Sequence, residues 1–165
     1  MANRKAAKVN LKSCSVIHVA SRTRMESEVL KVLIVEDTPA RQEILKNLYK
    51  DHAWVLAHTA TRAIRLLKAY DFDLISLDYN LAGEKNGDAV ASFIPQSRNA
   101  RTKVIVHSMN KQGADSITKL LPHAEIVPVS KMTKSNATFK RLRQELRRGI
   151  NINWAFVFGR GNRVL

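Results

Sequence analysis

Four points in this sequence carry residue types that handle phosphate and hard cations: Glu36-Asp37, Asp78, Ser108 and Lys131. Each follows a short apolar run. Val32-Leu33-Ile34-Val35 precedes the acidic pair, and Leu74-Ile75-Ser76-Leu77 precedes Asp78. Val104-Ile105-Val106 precedes His107-Ser108, and Ile126 to Val129 precedes Ser130-Lys131. Three carboxylates gathered at one place repel one another, so at least one is driven toward protonation unless a cation is present. Mg2+ resolves the conflict, because it is a hard ion that takes oxygen ligands and keeps several waters. An ion so held also bridges a phosphoryl oxygen. Ser108 then offers that phosphoryl group a hydrogen bond, and Lys131 a positive point charge. Asp78 becomes the nucleophile or acceptor, and the product is an aspartyl phosphate. Any one of these residues alone reads as a helix cap, a turn or a surface side chain. Their recurrence at successive strand ends carries the chemistry.

Elements that could bring them together follow from the periodicity. The β-branched run before Glu36 suits a strand buried on both faces. Thr38 suits a helix cap and Pro39 its first position, and Ile44, Leu45, Leu48 and Tyr49 make one helical stripe. Trp54 to Ala57 reads as a second strand, and Ala63, Ile64 and Leu67 mark a second helix. After Asp78 comes a polar loop with Gly83 and Gly87, then a short helix around Ala89 to Ile94. Ile117, Leu120 and Leu121 mark the fourth helix, and Phe139, Leu142 and Leu146 the last. Five strand–helix units imply a parallel sheet with helices on both faces. The fold class is therefore α/β, a flavodoxin-like (βα)5 three-layer sandwich with expected strand order 2-1-3-4-5. In such sheets ligands bind beyond the carboxyl ends of the strands, where the residues above fall.

The chain has 165 residues and a formal net charge of +14. That length suits one domain with a proper core. No apolar run approaches the ~18–20 residues of a membrane helix. Cys14 is the only cysteine, which excludes an internal disulfide and fits a reducing, cytoplasmic location. The charge is uneven. Residues 1–24 carry Arg4, Lys5, Lys8, Lys12, Arg22 and Arg24 and no acid. A second cluster holds Lys134, Lys140, Arg141, Arg143, Arg147 and Arg148 against Glu145 alone. Such patches attract polyanions or acidic proteins. The expected organisation is a basic, disordered arm over 1–28, a domain over 29–148, and an apolar, extended tail over 149–165. A plainer reading of the arm makes Met25 the true start.

At its chemical positions the chain resembles response-regulator receiver domains over about residues 30–148. Glu36-Asp37 matches their acidic pair, Asp78 the phosphoacceptor, Ser108 the hydroxyl and Lys131 the lysine. Gly87 falls close to the glycine before the third helix. The resemblance implies Mg2+ bound by Glu36, Asp37, Asp78 and the backbone carbonyl of Asn80. It also implies phosphate received from a histidine kinase or other phosphodonor, and output through a protein partner at the last helix or tail.

A narrower resemblance is to the cyclic-phosphate-processing receiver-like family. Ile75-Ser76-Leu77-Asp78-Tyr79-Asn80-Leu81-Ala82-Gly83 is similar to its Ser-Leu-Asp-His-Asp-Leu-Gly signature. His107-Ser108-Met109-Asn110, with Gly113 following, is similar to its His-Ser-x-Asn-Pro-x-Gly signature, and Asn86-Gly87-Asp88-Ala89-Val90 to its glycine segment. This resemblance implies metal-dependent phosphoesterase chemistry on cyclic phosphates of nucleotides or RNA ends, with His107 as acid or base. Tyr79 and Asn80 stand where that signature has His and Asp, and Lys111 where it has Pro. Met132 stands where signalling receivers carry a proline after the lysine. A third reading keeps the fold as a binding module, with nucleic acid or an acidic protein held by the basic arm and last helix.

Overall fold

The protein is described here by a computed structural model covering residues 29–159. The basic arm and Met25 lie outside the described residues.

The five strands are β1 (Lys31–Val35), β2 (Ala53–Ala57), β3 (Leu74–Leu77), β4 (Lys103–Val106) and β5 (Glu125–Ile126). They form one parallel sheet in the order β2-β1-β3-β4-β5. The helices are α1 (Pro39–Leu48), α2 (Ala60–Ala69), α3 (Gly87–Phe93), α4 (Lys111–Leu120), α5 (Val129–Met132), α6 (Asn136–Leu146) and α7 (Trp154–Phe158). Side chains alternate across a strand, so each central strand feeds two cores. Leu33 and Val35 of β1 join Ala63 and Leu67 of α2, Val90 of α3 and Ile117 of α4. Val32 and Ile34 face the other way, onto Leu45 and Leu48 of α1 and Leu142 and Leu146 of α6. This is the expected three-layer sandwich, and it explains why β1 and β3 carry no exposed polar face.

Two elements differ from the sequence reading. The fifth strand was expected over 126–129 and ends at Ile126. Val127 N still donates to Val106 O at 2.8 Å and Val129 N to His107 O at 3.1 Å, and Pro128 stands as the N-cap of the helical turn that follows. The chain turns there into α5, so Lys131 sits in a helical turn and not directly at a strand end. The tail was expected to be extended, and residues 154–158 form α7 instead. Asn153 accepts a hydrogen bond from Phe156 N at 3.1 Å and starts the helix. Trp154 and Phe158, four residues apart, stack at 5.5 Å. Val157 is 0 % exposed within the α1–α6 core, which seats the helix on the domain. No helix among the described residues is long and apolar enough to cross a membrane.

Candidate metal centre

The registers Val35↔Leu77 and Leu77↔Val106 bring the carboxyl ends of β1, β3 and β4 side by side. The chain therefore leaves the sheet at three neighbouring points with Glu36-Asp37, Asp78 and His107-Ser108. One carboxylate oxygen from each of Glu36, Asp37 and Asp78 lies within 4.8 Å of the others. Glu36 is 0 % and Asp78 1 % exposed, whereas Asp37 is partly open to solvent.

Arg41 was not among the residues singled out from sequence. Its Nε donates to Glu36 Oε2 at 2.7 Å, and its Nη2 donates to Glu36 Oε1 at 2.9 Å and to Asp78 Oδ2 at 2.7 Å. The same Nη2 is 3.8 Å from Asp37 Oδ1. The signal was present in the spacing: Arg41 is four residues beyond Asp37, in the first turn of α1, and so faces the acidic pair.

Glu36 is anchored from below as well. Its Oε1 accepts from Thr38 N at 2.8 Å, and its Oε2 lies 3.2 Å from His107 Nε2. Burial acts to raise its pKa, but the bonds from His107, Arg41 and Thr38 win and hold it at about 2, against an ordinary 4.5. The glutamate stays ionised. Arg41 shifts upward, first through its bond to Glu36. His107 is 0 % exposed, and its Nδ1 meets Ser76 Oγ at 2.9 Å. Both ring nitrogens are thus engaged inside the sheet, and the imidazole lies beneath Glu36 rather than at the solvent face. Deeper still, the buried Tyr49 hydroxyl ends beside Ser76 without a well-formed hydrogen bond.

Asp78 Oδ1 accepts from Tyr79 N at 2.8 Å, which fixes the carboxylate plane. The backbone that follows is packed tightly. A Cβ at Gly87 would collide with the Asp78 carbonyl oxygen, and Gly87 N donates to Tyr79 O at 2.7 Å. A Cβ at Gly113 would collide with the Tyr79 ring. Gly87 and Gly113 are therefore close-approach positions that seat the loop after Asp78. Asn110 caps α4 through Gly113 N at 3.0 Å and reaches Asn80 Oδ1 at 3.3 Å, which ties the same loop from the other side. Asn80 itself is exposed.

Ser108 is 2 % exposed, and its Oγ accepts from Asn110 N at 3.2 Å. Ser108 and Lys131 line a common cleft of about 700 Å3 between α4 and the β5–α5 connection. The Lys131 ammonium lies 4.8 Å from the centre of the Phe158 ring, a cation–π contact supplied by α7. The structure thus groups Glu36, Asp37 and Asp78 in one cluster and joins Ser108 to Lys131 in the cleft.

The donor set suits a hard divalent cation. It offers carboxylate oxygens at close range, one of them on a partly exposed residue. The cluster already holds a positive group, the Arg41 guanidinium, as a stand-in for such an ion.

Sheet order and acidic cluster together define a receiver domain. The sequence profile described as the cyclic-phosphate processing receiver domain matches residues 30–123, and the chain belongs to that family. No curated protein sequence matches the chain significantly. Among solved structures, the chain is similar to the phosphorylated cyanobacterial phytochrome response regulator RcpA, at 20 % identity and a TM-score of 0.56. That match covers 83 % of this chain and 99 % of the other. It is also similar to the receiver domain of a sensor histidine kinase from Pseudomonas aeruginosa PAO1, which has a magnesium ion in its active-site cleft. There the identity is 18 % and the TM-score 0.59, over 74 % of this chain and 98 % of the other. A manganese-bound response regulator matches at 22 % identity and a TM-score of 0.54, over 82 % and 99 %. At these identities the likeness carries the fold.

Proposed function

We propose that this chain is a phosphate-handling receiver domain whose acidic cluster binds Mg2+ and whose Asp78 accepts a phosphoryl group. The observation that carries this reading is the convergence of Glu36, Asp37 and Asp78, with ligand oxygens within 4.8 Å, at the carboxyl edge of a receiver sheet. Glu36, Asp37, Asp78 and the Asn80 carbonyl would hold the ion. When bound, the ion would supply charge neutralisation for an incoming phosphoryl group. Asp78 would attack phosphorus through one carboxylate oxygen, and the donor would leave with the electron pair of the broken P–O or P–N bond. Ser108 would hydrogen-bond the transferred group, and Lys131 would reach it across their shared cleft. His107 and Ser76 would position Glu36. A histidine kinase or a small phosphodonor would supply the phosphate, and α6 and α7 would meet a protein partner. In this organisation 29–148 is the signalling domain, 149–165 its tail, and 1–28 a basic arm able to contact nucleic acid.

Family membership favours a second reading, in which the same centre processes cyclic phosphates of nucleotides or RNA ends. The buried, doubly bonded imidazole of His107 supports an indirect role for it in that chemistry, with Asp78 and the ion at the substrate.

One experiment separates the readings. The purified protein with Mg2+ is given acetyl phosphate and, in parallel, 2′,3′-cyclic nucleotides. The first reading expects an acid-stable, base-labile phosphoprotein in the intact-mass spectrum that is lost in Asp78→Asn. Turnover of the cyclic nucleotide without labelling would instead establish the second. Neither outcome, with the fold intact, would contradict both.

A further inference from the structure

Arg41 Nη2 lies among all three carboxylates of the cluster. It lies 2.9 Å from Glu36 Oε1, 2.7 Å from Asp78 Oδ2 and 3.8 Å from Asp37 Oδ1. One nitrogen thus sits at the focus of the three carboxylates that would ligate a divalent ion. An arginine paired only with the neighbouring Glu36 and Asp37 would need no bond to Asp78, which follows β3, 37 residues further along the chain.

We infer that Arg41 is a built-in competitor for the divalent cation: it occupies the Asp78 side of the site, and its displacement sets the affinity and selectivity of that site. This inference rests on the metal-binding reading above and deepens it.

Four observations support a guanidinium that can leave and a carboxylate set that can still attract an ion. Three carboxylates against one guanidinium leave two formal negative charges, so the occupied site still draws a divalent cation. Glu36 does not depend on Nη2 alone. Thr38 N and His107 Nε2 also bond it, so the buried Glu36 stays partnered when the guanidinium swings away. The Arg41 side chain is one-quarter exposed, which gives the departing end of the guanidinium a path to solvent. Asp78 has one carboxylate oxygen on Tyr79 N and the other on Nη2. The oxygen that would meet an ion is the one Arg41 holds. Removing a unit charge a few ångströms from a cation site strengthens cation binding directly. Monovalent cations, with half the attraction, would be excluded most.

The test is a Mg2+ titration followed by backbone amide shifts of Asp78 and Tyr79, on the full chain as wild type, Arg41→Gln and Arg41→Lys. The wild-type Arg41 Nε–H signal is recorded in the same samples. Arg41→Gln is expected to bind Mg2+ about tenfold tighter or more. Arg41→Lys keeps the charge but loses the two-pronged reach, and falls between. In the wild type, saturation should shift the Nε–H signal and speed its exchange with water, a readout that stands even if Arg41→Gln fails to fold. Binding by Arg41→Gln where the wild type shows none would support the inference most strongly. Equal affinities, with an unmoved Nε–H signal at saturation, would overturn it and leave the metal site standing. Absence of binding in every form would overturn the metal site itself, and this inference with it.

Discussion

Glu36 is the residue on which the site's electrostatics turn. It is fully buried, yet it remains ionised because a guanidinium, an imidazole and a backbone N–H converge on it. A carboxylate held at about 2 when folded, against 4.5 ordinarily, contributes stability that is complete above the unfolded value. That contribution fades as pH falls from about 4.5 toward 2. It is on the order of 3 kcal/mol at neutral pH. Wild type is therefore expected to lose stability steeply in this window, and Glu36→Gln to show a shallower slope over the same window, measured by urea unfolding at stepped pH. Parallel slopes would contradict this. The chemistry of Glu36, Asp37 and Asp78 was legible in the sequence because side-chain type and strand-end position sufficed. The pairing of Arg41 with Asp37 was legible in their i,i+4 spacing, but its bond to Asp78 was not, since that depends on the fold bringing the end of β3 beneath α1. His107 shows the same division: its place beside Ser108 was visible, but not the direction of its ring, which is set by the pleat of β4 and the hydroxyl of Ser76 on β3.

At the scale of elements, the strands of the inner sheet were legible because burial on both faces leaves a continuous apolar run. Ends governed by single residues were less so. β5 gives way after Pro128, the N-cap of α5, and an asparagine cap with an i,i+4 aromatic pair turns the tail into α7. Gly113 allows two effects to be weighed. It is the third residue of α4, where helix propensity alone would make alanine better by about 1 kcal/mol. A Cβ there meets the Tyr79 ring, and overpacking costs about 1–3 kcal/mol. Gly113→Ala is expected to lower the denaturation midpoint and to disturb the Asp78 and Tyr79 amides, because Tyr79 must move. A raised midpoint would mean that propensity wins and that the contact is loose.

For the whole molecule, the charge distribution reads differently once folded. Arg143 and Arg147 pair with Asp51 at 2.6 and 2.8 Å, and Arg148 with Glu145 at 2.7 Å. About half of the basic cluster seen in the sequence is thus partnered within the fold, and it fastens α6 to the turn before β2. Phe156 lies between the guanidiniums of Arg141 and Arg148, at 5.9 and 5.8 Å. The tail helix is consequently part of the domain's packing and reaches Lys131 through Phe158. Val157→Asp would bury an unpaired carboxylate in the α1–α6 core. It is expected to cost at least about 3 kcal/mol in urea unfolding. A loss near zero would show that α7 detaches freely.

The central claim is that the acidic cluster takes a divalent ion at Asp78. Trp54 is poorly placed to report it, since it pairs with Val32 toward the opposite end of β1. Mn2+ is the better probe, because its paramagnetism broadens only nearby amides. Substoichiometric Mn2+ should bleach the amide signals of Asp37, Asp78 and Tyr79 first, reversibly with excess Mg2+. Asp78→Asn should lose that selective bleaching. Uniform broadening in both proteins, or bleaching unchanged in Asp78→Asn, would contradict the account.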